Sequence, residues 1–478
     1  LILALDIGTS SVRAAVYDET GERLPDTVVK NDRQIEFTEQ GGAEIDAEKA
    51  LEQIFRAVDD VLALAAGTQI QYVAMSCFWH SLIGVDKDGN AVTPVLTWAD
   101  TRAKDAVKDL REQLDEAKVH NRTGARFHAS YWAAKLLWYG REQPEIFARV
   151  DKWLSLSDYL ALKLSGKAVT SISMASGTGI FDVRRCDWDD ELLSFLRIGR
   201  ENLPAIALGG DTFQTARWEK LKNTRWFPAI GDGAANNLGA GCTTKEKAAL
   251  MIGTSGAMRT AFAGEPPSEI PAGLWCYRID KKRVITGGAL SDGGGLYAWL
   301  KNTLKMAEID DDIEAEIARR APDSHGLTVM PFFSGERSTG YHENAKGAIL
   351  GLTQNTTAVE IVHAAMEAVA FRFAAIFEQL QTVCPLTEMI ASGGALRESA
   401  VWTQIMADVL GRNLSLPDTR EASSRGVVLL ALETIGKIDG IEEIKTPPGQ
   451  QFRFDKDRHE VYQRARARHE EFYAQLMH

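Results

Sequence analysis

A two-lobed α/β fold is what this sequence predicts, and three observations carry the prediction. The first is LILALDIGTSSVRAAVYDE, residues 1–19. Apolar residues alternate with small ones up to Asp6, Ile7-Gly8-Thr9-Ser10 turns the chain, and Val12, Ala14 and Val16 alternate again. Two period-2 runs around a Gly/Ser/Thr turn read as a β-hairpin. The second observation is a recurrence: LMIGTSGAMRTAF at 250–262 repeats Ile-Gly-Thr-Ser between two apolar runs. The third is length, because 478 residues exceed one ordinary hydrophobic core and should split into two domains. The split is expected near residues 230 and 231.

Each hairpin turn offers backbone N–H groups and two hydroxyls, a nest that suits phosphate. In the first, Asp6 adds a carboxylate able to hold a hydrated Mg²⁺. In the second, Met251 replaces that carboxylate, so the two copies do not share every role. Gly8, Thr9, Ser10 and Arg13, with Gly253, Thr254 and Ser255, are therefore candidate phosphate contacts. Two such hairpins half a chain apart imply duplicated lobes closing on one nucleotide. That is the actin-like, or ribonuclease-H-like, plan, with an active-site cleft between the lobes.

Along the first lobe, Asp46 caps a helix whose Leu51, Ile54, Phe55, Val58, Val61 and Leu62 form one stripe, ended by Gly67. The apolar run 71–78 reads as a buried strand delivering Trp79, His80 and Ser81. A turn at 86–89 leads to a second strand, delivering Trp98, Asp100 and Arg102. Ligands gather where strands end in α/β folds, and aromatic faces with Asp, Arg and His suit a polyol. His128 is a further candidate. The plainer alternatives are a core histidine, core tryptophans, and an Asp-Arg pair opening a helix over 103–118. A helix is expected over 151–166 and a loop entering a strand over 171–182.

In the second half, Asp232 stands between two glycines where small residues open a helix. Phosphoryl transfer to an alcohol needs a carboxylate beside the attacking hydroxyl, and a helix cap is the compatible alternative. Glu336-Arg337 lies in a Gly-flanked loop as a salt-bridged turn or a ligand contact. A long helix runs from 357 to 381. Gly393-Gly394-Ala395 joins a strand to a helix, where a flat ring can lie against bare backbone. A Pro-Gly connector precedes a charged helix over 455–478 that reads as a solvated face. No G-x-x-x-x-G-K-[ST] is present, which excludes a Walker-type site.

Composition narrows the classes further. The net charge of −12 without a basic stripe argues against nucleic acid. No apolar run approaches membrane-spanning length, so a soluble, cytoplasmic protein is expected. Five scattered cysteines without C-x-x-C read as free thiols. No histidine pair has metal-ligand spacing with a carboxylate, so zinc is not expected.

With these residues in view the chain resembles the FGGY carbohydrate kinases nearly end to end. GAILGLTQNTTAVEIVHAAMEAV (347–369) fits the family's C-terminal signature. DIGTSSVR, GDGAANNLGAG, IGTSGAMR and SGGALRESAVWTQIMADVLG complete the set. The resemblance implies ATP and Mg²⁺, Asp232 as base and metal-side carboxylate, Asp6 at the metal, and Gly393-Gly394 at adenine. Glycerol kinases carry Arg-Glu where Trp79-His80 stands, which disfavours glycerol. Xylulose kinases share the Gly-Glu-Arg loop but have Met-His-Gly in place of Trp79-His80-Ser81. The combination is most like the gluconate kinases, which implies D-gluconate, with Arg102, Arg126, His80 and His128 as candidates for its carboxylate. A neutral ketose or polyol such as xylulose is the alternative substrate, and an actin-like nucleotide switch the alternative of another class. A homodimer is the candidate assembly.

Overall fold

The computed structural model describes residues 1–306, 312–418 and 421–477, and it sets each hairpin at the middle of its own sheet. Strand Ile2–Ile7 pairs antiparallel with Ser11–Tyr17 in a register that puts Asp6 opposite Arg13. Ser11–Tyr17 pairs onward with Val29–Asp32, while Ile2–Ile7 runs parallel to Tyr72–Cys77 on its other side. Arg225–Trp226 and Ile230–Gly231 extend that edge in parallel. The second sheet repeats the plan. Lys247–Ile252 pairs antiparallel with Gly256–Ala263, which leads to Arg283–Leu290 and Trp275–Arg278. On its other side it runs parallel to Glu388–Ser392, and Leu414–Pro417 follows. Gly449–Phe452 closes the edge antiparallel. The duplication foreseen from one repeated tetrapeptide is a duplication of whole sheets, each hairpin flanked by a parallel strand on one side and an antiparallel one on the other.

All six residues of Ile2–Ile7 are buried, because helices cover the sheet. Helix Ala47–Leu64 begins where Asp46 accepts the Lys49 N–H at 2.9 Å, and its Leu51, Ile54 and Val58 enter the core. Helix Ala422–Thr434, from near the other end of the chain, sends Val427, Val428 and Leu432 into the same core. It crosses helix Asp232–Gly239 at bare backbone. A Cβ on Gly239 would lie 1.8 Å from the Ala422 carbonyl oxygen, and one on Gly426 would lie 1.9 Å from that of Ala235. The second core gathers around helix Ala358–Gln381, opened by a capping box between Thr357 and Glu360.

Several expected elements differ. The helix expected over 103–118 is two, Lys104–Gln113 and Glu116–Thr123, because Leu114 is extended and Asp115 starts a new helix by accepting the Lys118 N–H. The helix expected from 151 begins only after strand Lys152–Leu154, where Ser155 and Asp158 form a capping box. That strand pairs with Ile83–Val85, whereas Val95–Leu96 pairs with Ala43–Ile45. The turn at 86–89 therefore forms and its flanks still bridge each other, Val85 to Ala91 and Leu82 to Leu96, but their strand ladders are built with other partners. The expected loop at 171–182 contains helix Ile172–Ser176. The last helix, Lys456–Met477, is more than a solvated face: Arg466 pairs with Glu378 at 2.5 Å and Arg458 with Asp408 at 2.8 Å. Its expected final residue, 478, lies outside the described residues. The five cysteines are free, and all but Cys186 are buried. Among the described residues no helix is long and apolar enough to cross a membrane.

Candidate active site

Between the lobes lies a cleft of about 750 Å³ whose lining includes Asp6, Arg13, Asp232, Gly393 and Gly394. Five residues singled out in three separate motifs thus meet in one space. Ser76 donates its hydroxyl to Asp6 at 2.6 Å, and Arg13 stands 3.8 Å from the same carboxylate. Burial still raises the Asp6 pKa, against the pull of Ser76 and Arg13. Gly8, Thr9 and Ser10 form the adjoining turn, which Arg33 braces by donating to the carbonyls of Ser10 and Gly8. Gly253, Thr254 and Ser255 form the matching turn of the second hairpin. It is held by the N–H groups of Gly293, Gly294 and Gly295, which donate to the carbonyls of Gly253 and Thr254. Gly393 takes φ +95° between strand and helix, and the neighbouring Ala395 is half-buried.

Asp232 is the first residue of its helix, and Gly231 rather than Asp232 occupies the capping position. Its carboxylate accepts the Gly233 N–H at 2.8 Å. Burial pushes its pKa up to about 6, with Asp6 adding to the rise and Arg259 opposing it. Arg259 itself is buried, its guanidinium 3.4 Å from the Gly233 carbonyl. This cation is not among the sequence candidates, although it ends the IGTSGAMR motif.

Trp79 joins Asp232 to the second group of candidates. A Cβ on Gly231 would lie 1.8 Å from the indole, and one on Gly233 would lie 2.6 Å from it. Helix Ile172–Ser176 fixes the arrangement: the Ser173 carbonyl accepts from Trp79 Nε1 at 3.0 Å, and its hydroxyl accepts the Gly231 N–H. His80, at φ +69°, bonds the Gly177 carbonyl through Nδ1 at 2.6 Å. Burial holds His80 neutral, well below its ordinary pKa. With Nδ1–H donating, its Nε2 is left as an acceptor for a hydroxyl. Tyr131 and Tyr277, hydrogen-bonded to each other at 2.5 Å, pack edge-on against the His80 ring.

The other candidates divide. Trp98 lies half-buried beneath the Arg337 guanidinium, 5.8 Å from ring centroid to Cζ. Asp100 is committed to Arg102 at 2.5 Å and to the Ala43 N–H, and Arg102 also reaches Glu44. The Ser81 hydroxyl accepts the Leu156 N–H within the core. His128 bonds Ser130, and burial lowers its pKa to about 3. Arg126 pairs with Glu116 at 2.9 Å. Of the four groups expected to meet a carboxylate, both arginines are already paired and both histidines are uncharged. Glu336 answers the loop alternative by pairing inward with Arg372 at 2.5 Å and with Tyr473.

His325, His363 and Glu367 bring three ligand-type atoms within 4.8 Å of one another, two of them from a His-x-x-x-Glu spacing on one helix that is not among the sequence candidates. The hydrogen bonds of His325 do not suit a metal. His325 Nδ1 accepts the Leu327 N–H at 2.9 Å, so Nε2 carries the proton toward Glu367 at 3.0 Å. A ligating imidazole instead donates from its second nitrogen. Asp323 N–H also bonds Glu367. The cluster fastens residues 323–327 to the long helix.

Duplicated lobes, two phosphate-type turns, and a buried carboxylate beside a pocket walled by aromatic rings define a sugar kinase of the actin-like class. The comparisons agree, and the chain belongs to the FGGY family of carbohydrate kinases. The family's N-terminal domain model matches residues 1–226 and its C-terminal domain model residues 248–434. A gluconokinase of Bacillus subtilis is 29% identical over 475 residues, covering 95% of this chain and 91% of that one. The structure of a gluconate kinase from Lactobacillus acidophilus superposes with a TM-score of 0.91 at 27% identity, covering 100% and 98% of the two chains. A ligand-bound xylulose kinase from the same organism gives 0.91 and 27%, covering 99% and 98%. Kinases of this family use ATP as phosphate donor, generally with Mg²⁺.

Gly231→Ala is expected to displace Trp79 and to destabilise the fold by about 1–3 kcal/mol. Sugar-dependent turnover should fall further than nucleotide binding, which steady-state kinetics and nucleotide titration on the same variant would measure.

Proposed function

We propose that this chain transfers the γ-phosphate of ATP to a primary hydroxyl of an open-chain sugar acid, first D-gluconate to give 6-phosphogluconate, in the cytoplasm. The observation that carries this reading is the position of Asp232: buried at a helix start, packed against Trp79 of the pocket, and sharing a cleft with Asp6. Asp232 accepts the proton of the attacking hydroxyl as the oxygen moves on the γ-phosphorus. His80 Nε2 accepts from a neighbouring hydroxyl, and the indoles of Trp79 and Trp98 shield the C–H faces. The hairpin turns Gly8–Ser10 and Gly253–Ser255 hold phosphates by backbone N–H, and Gly393-Gly394 leaves room for adenine.

The oxygen donors of Asp6 and Asp232 on one cleft suit Mg²⁺, which binds through one or two carboxylates and keeps its waters. When bound, it neutralises charge on the transferred phosphoryl group. A switch without transfer needs no such pocket. A neutral ketose is the second reading, favoured by the Gly-Glu-Arg loop that xylulose kinases share. An ADP-release assay with Mg-ATP against gluconate, other aldonates, xylulose and polyols tests both. Turnover confined to neutral sugars overturns the sugar-acid reading, and no stimulation by any acceptor overturns the kinase reading.

A further inference from the structure

Neighbouring residues Glu336 and Arg337 do opposite things. Glu336 turns into the second lobe and is closed off by Arg372 and Tyr473. Arg337 turns out of that lobe and lies over Trp98 of the first. Among the described residues its guanidinium has no ion pair and no side-chain hydrogen bond. Its charge is nevertheless felt at His80, His128 and Arg259, so it stands amid the pocket. Arg259, whose guanidinium lies 3.4 Å from the Gly233 carbonyl beside Asp232, also feels the charge of Arg337.

We propose that Arg337 is the residue that receives the carboxylate when the substrate is an open-chain sugar acid, and that the bound carboxylate is shared between the lobes. The proposal rests on the sugar-acid reading above. A half-buried guanidinium without an anion lacks the partner that its planar fork matches best, a carboxylate held by two parallel N–H···O bonds. The pocket's other cations do not compete. Arg102, Arg126 and Arg111 are held by Asp100 and Glu116, and Arg259 sits at the Asp232 end. A substrate spanning the pocket then places a hydroxyl at Asp232 and its far, charged end at Arg337. Trp98 and His80 belong to the first lobe and Arg337 to the second, so the anion ties the two together as an ion pair supplied by the ligand.

The test uses the full chain and the variants Arg337→Met and Arg337→Lys, with kinetics on D-gluconate, on D-xylulose, and on D-glucitol, which has CH₂OH in place of the carboxylate. The expected result is a wild-type preference for gluconate over glucitol. In Arg337→Met, gluconate kcat/KM should fall roughly 10- to 150-fold, as for loss of a charge-assisted hydrogen bond. The loss should fall mainly in KM, with the KM for Mg-ATP unchanged. Arg337→Lys, which keeps the charge and loses the fork, should fall between the two and guards against misfolding of the Met variant. An unaltered gluconate KM in both variants overturns the assignment to Arg337 and leaves the sugar-acid reading standing. A wild type that phosphorylates xylulose and no aldonate overturns both.

Discussion

Asp232→Asn is expected to lower kcat by about 10²–10⁴-fold, the usual contribution of a positioned general base, while nucleotide binding survives. The carboxamide fills the same volume at the first turn of the helix, so folding should change little. What is lost is the acceptor for the hydroxyl proton. The pH dependence supplies a second signature. Burial raises the Asp232 pKa to about 6, and only the ionised form takes the proton. Wild-type kcat should therefore climb tenfold per pH unit below about 6 and level off above. The asparagine variant, having no group to ionise there, should lack that limb. Rapid-quench measurement of single turnovers, with nucleotide affinity by titration, checks both parts. Retained turnover in Asp232→Asn would show that another group accepts the proton.

Lys135→Met should have the largest effect on the pocket from a residue that never touches substrate. Lys135 is fully buried and donates to the His80 carbonyl at 2.7 Å and the Thr97 carbonyl at 2.8 Å. One turn earlier on the same helix, Trp132 Nε1 donates to the Ser81 carbonyl at 2.8 Å. Helix Trp132–Glu142 is thus the template on which the two strand ends are laid. Methionine leaves two buried carbonyls without donors, at about 1–3 kcal/mol each. Relief of a buried ammonium offsets part of that. The sugar KM should rise with the misplacement of His80, and the KM for Mg-ATP should not.

A pH test separates this from generic damage. Burial lowers the Lys135 pKa to about 7, far under the unfolded value of about 10.4. Between these limits the unfolded chain holds the proton that the folded chain has released, so this residue's contribution to stability rises with pH. Methionine has no such slope. The destabilisation caused by Lys135→Met should be greater at pH 9 than at pH 7, as measured by urea unfolding.

What the sequence shows and what it hides divide along a physical line. Asp6, Arg13, Asp232, Gly393 and Gly394 belong to short glycine-flanked motifs whose backbone shape is local, and they meet in one cleft. Helices with clear caps, such as Ala47–Leu64 and Ala358–Gln381, were equally legible. Short apolar runs were not: Trp153 and Leu154 join a strand because Ile83–Val85 offers an edge, a partner far away in sequence. Charge was the hardest to read. Arg102 and Arg337 look alike as letters, yet Asp100 and Glu44 hold one, while the other stands over Trp98 alone. Whether an arginine is paired depends on contacts that local spacing does not encode. Lys135 illustrates the same limit, since its apolar neighbours mark a core helix and nothing marks the two carbonyls it serves.

The crossing of helix Ala422–Thr434 over helix Asp232–Gly239 also bears on how the protein is made. The first sheet is nearly all written in the opening 80 residues, but Val427, Val428 and Leu432 of its core leave the ribosome long after it, behind most strands of the second sheet. The N-terminal lobe therefore cannot finish its core during the first half of synthesis. It must wait as an open-faced sheet until the second lobe has emerged behind it. Biosynthesis thus completes the two lobes together, although the gene encodes them one after the other.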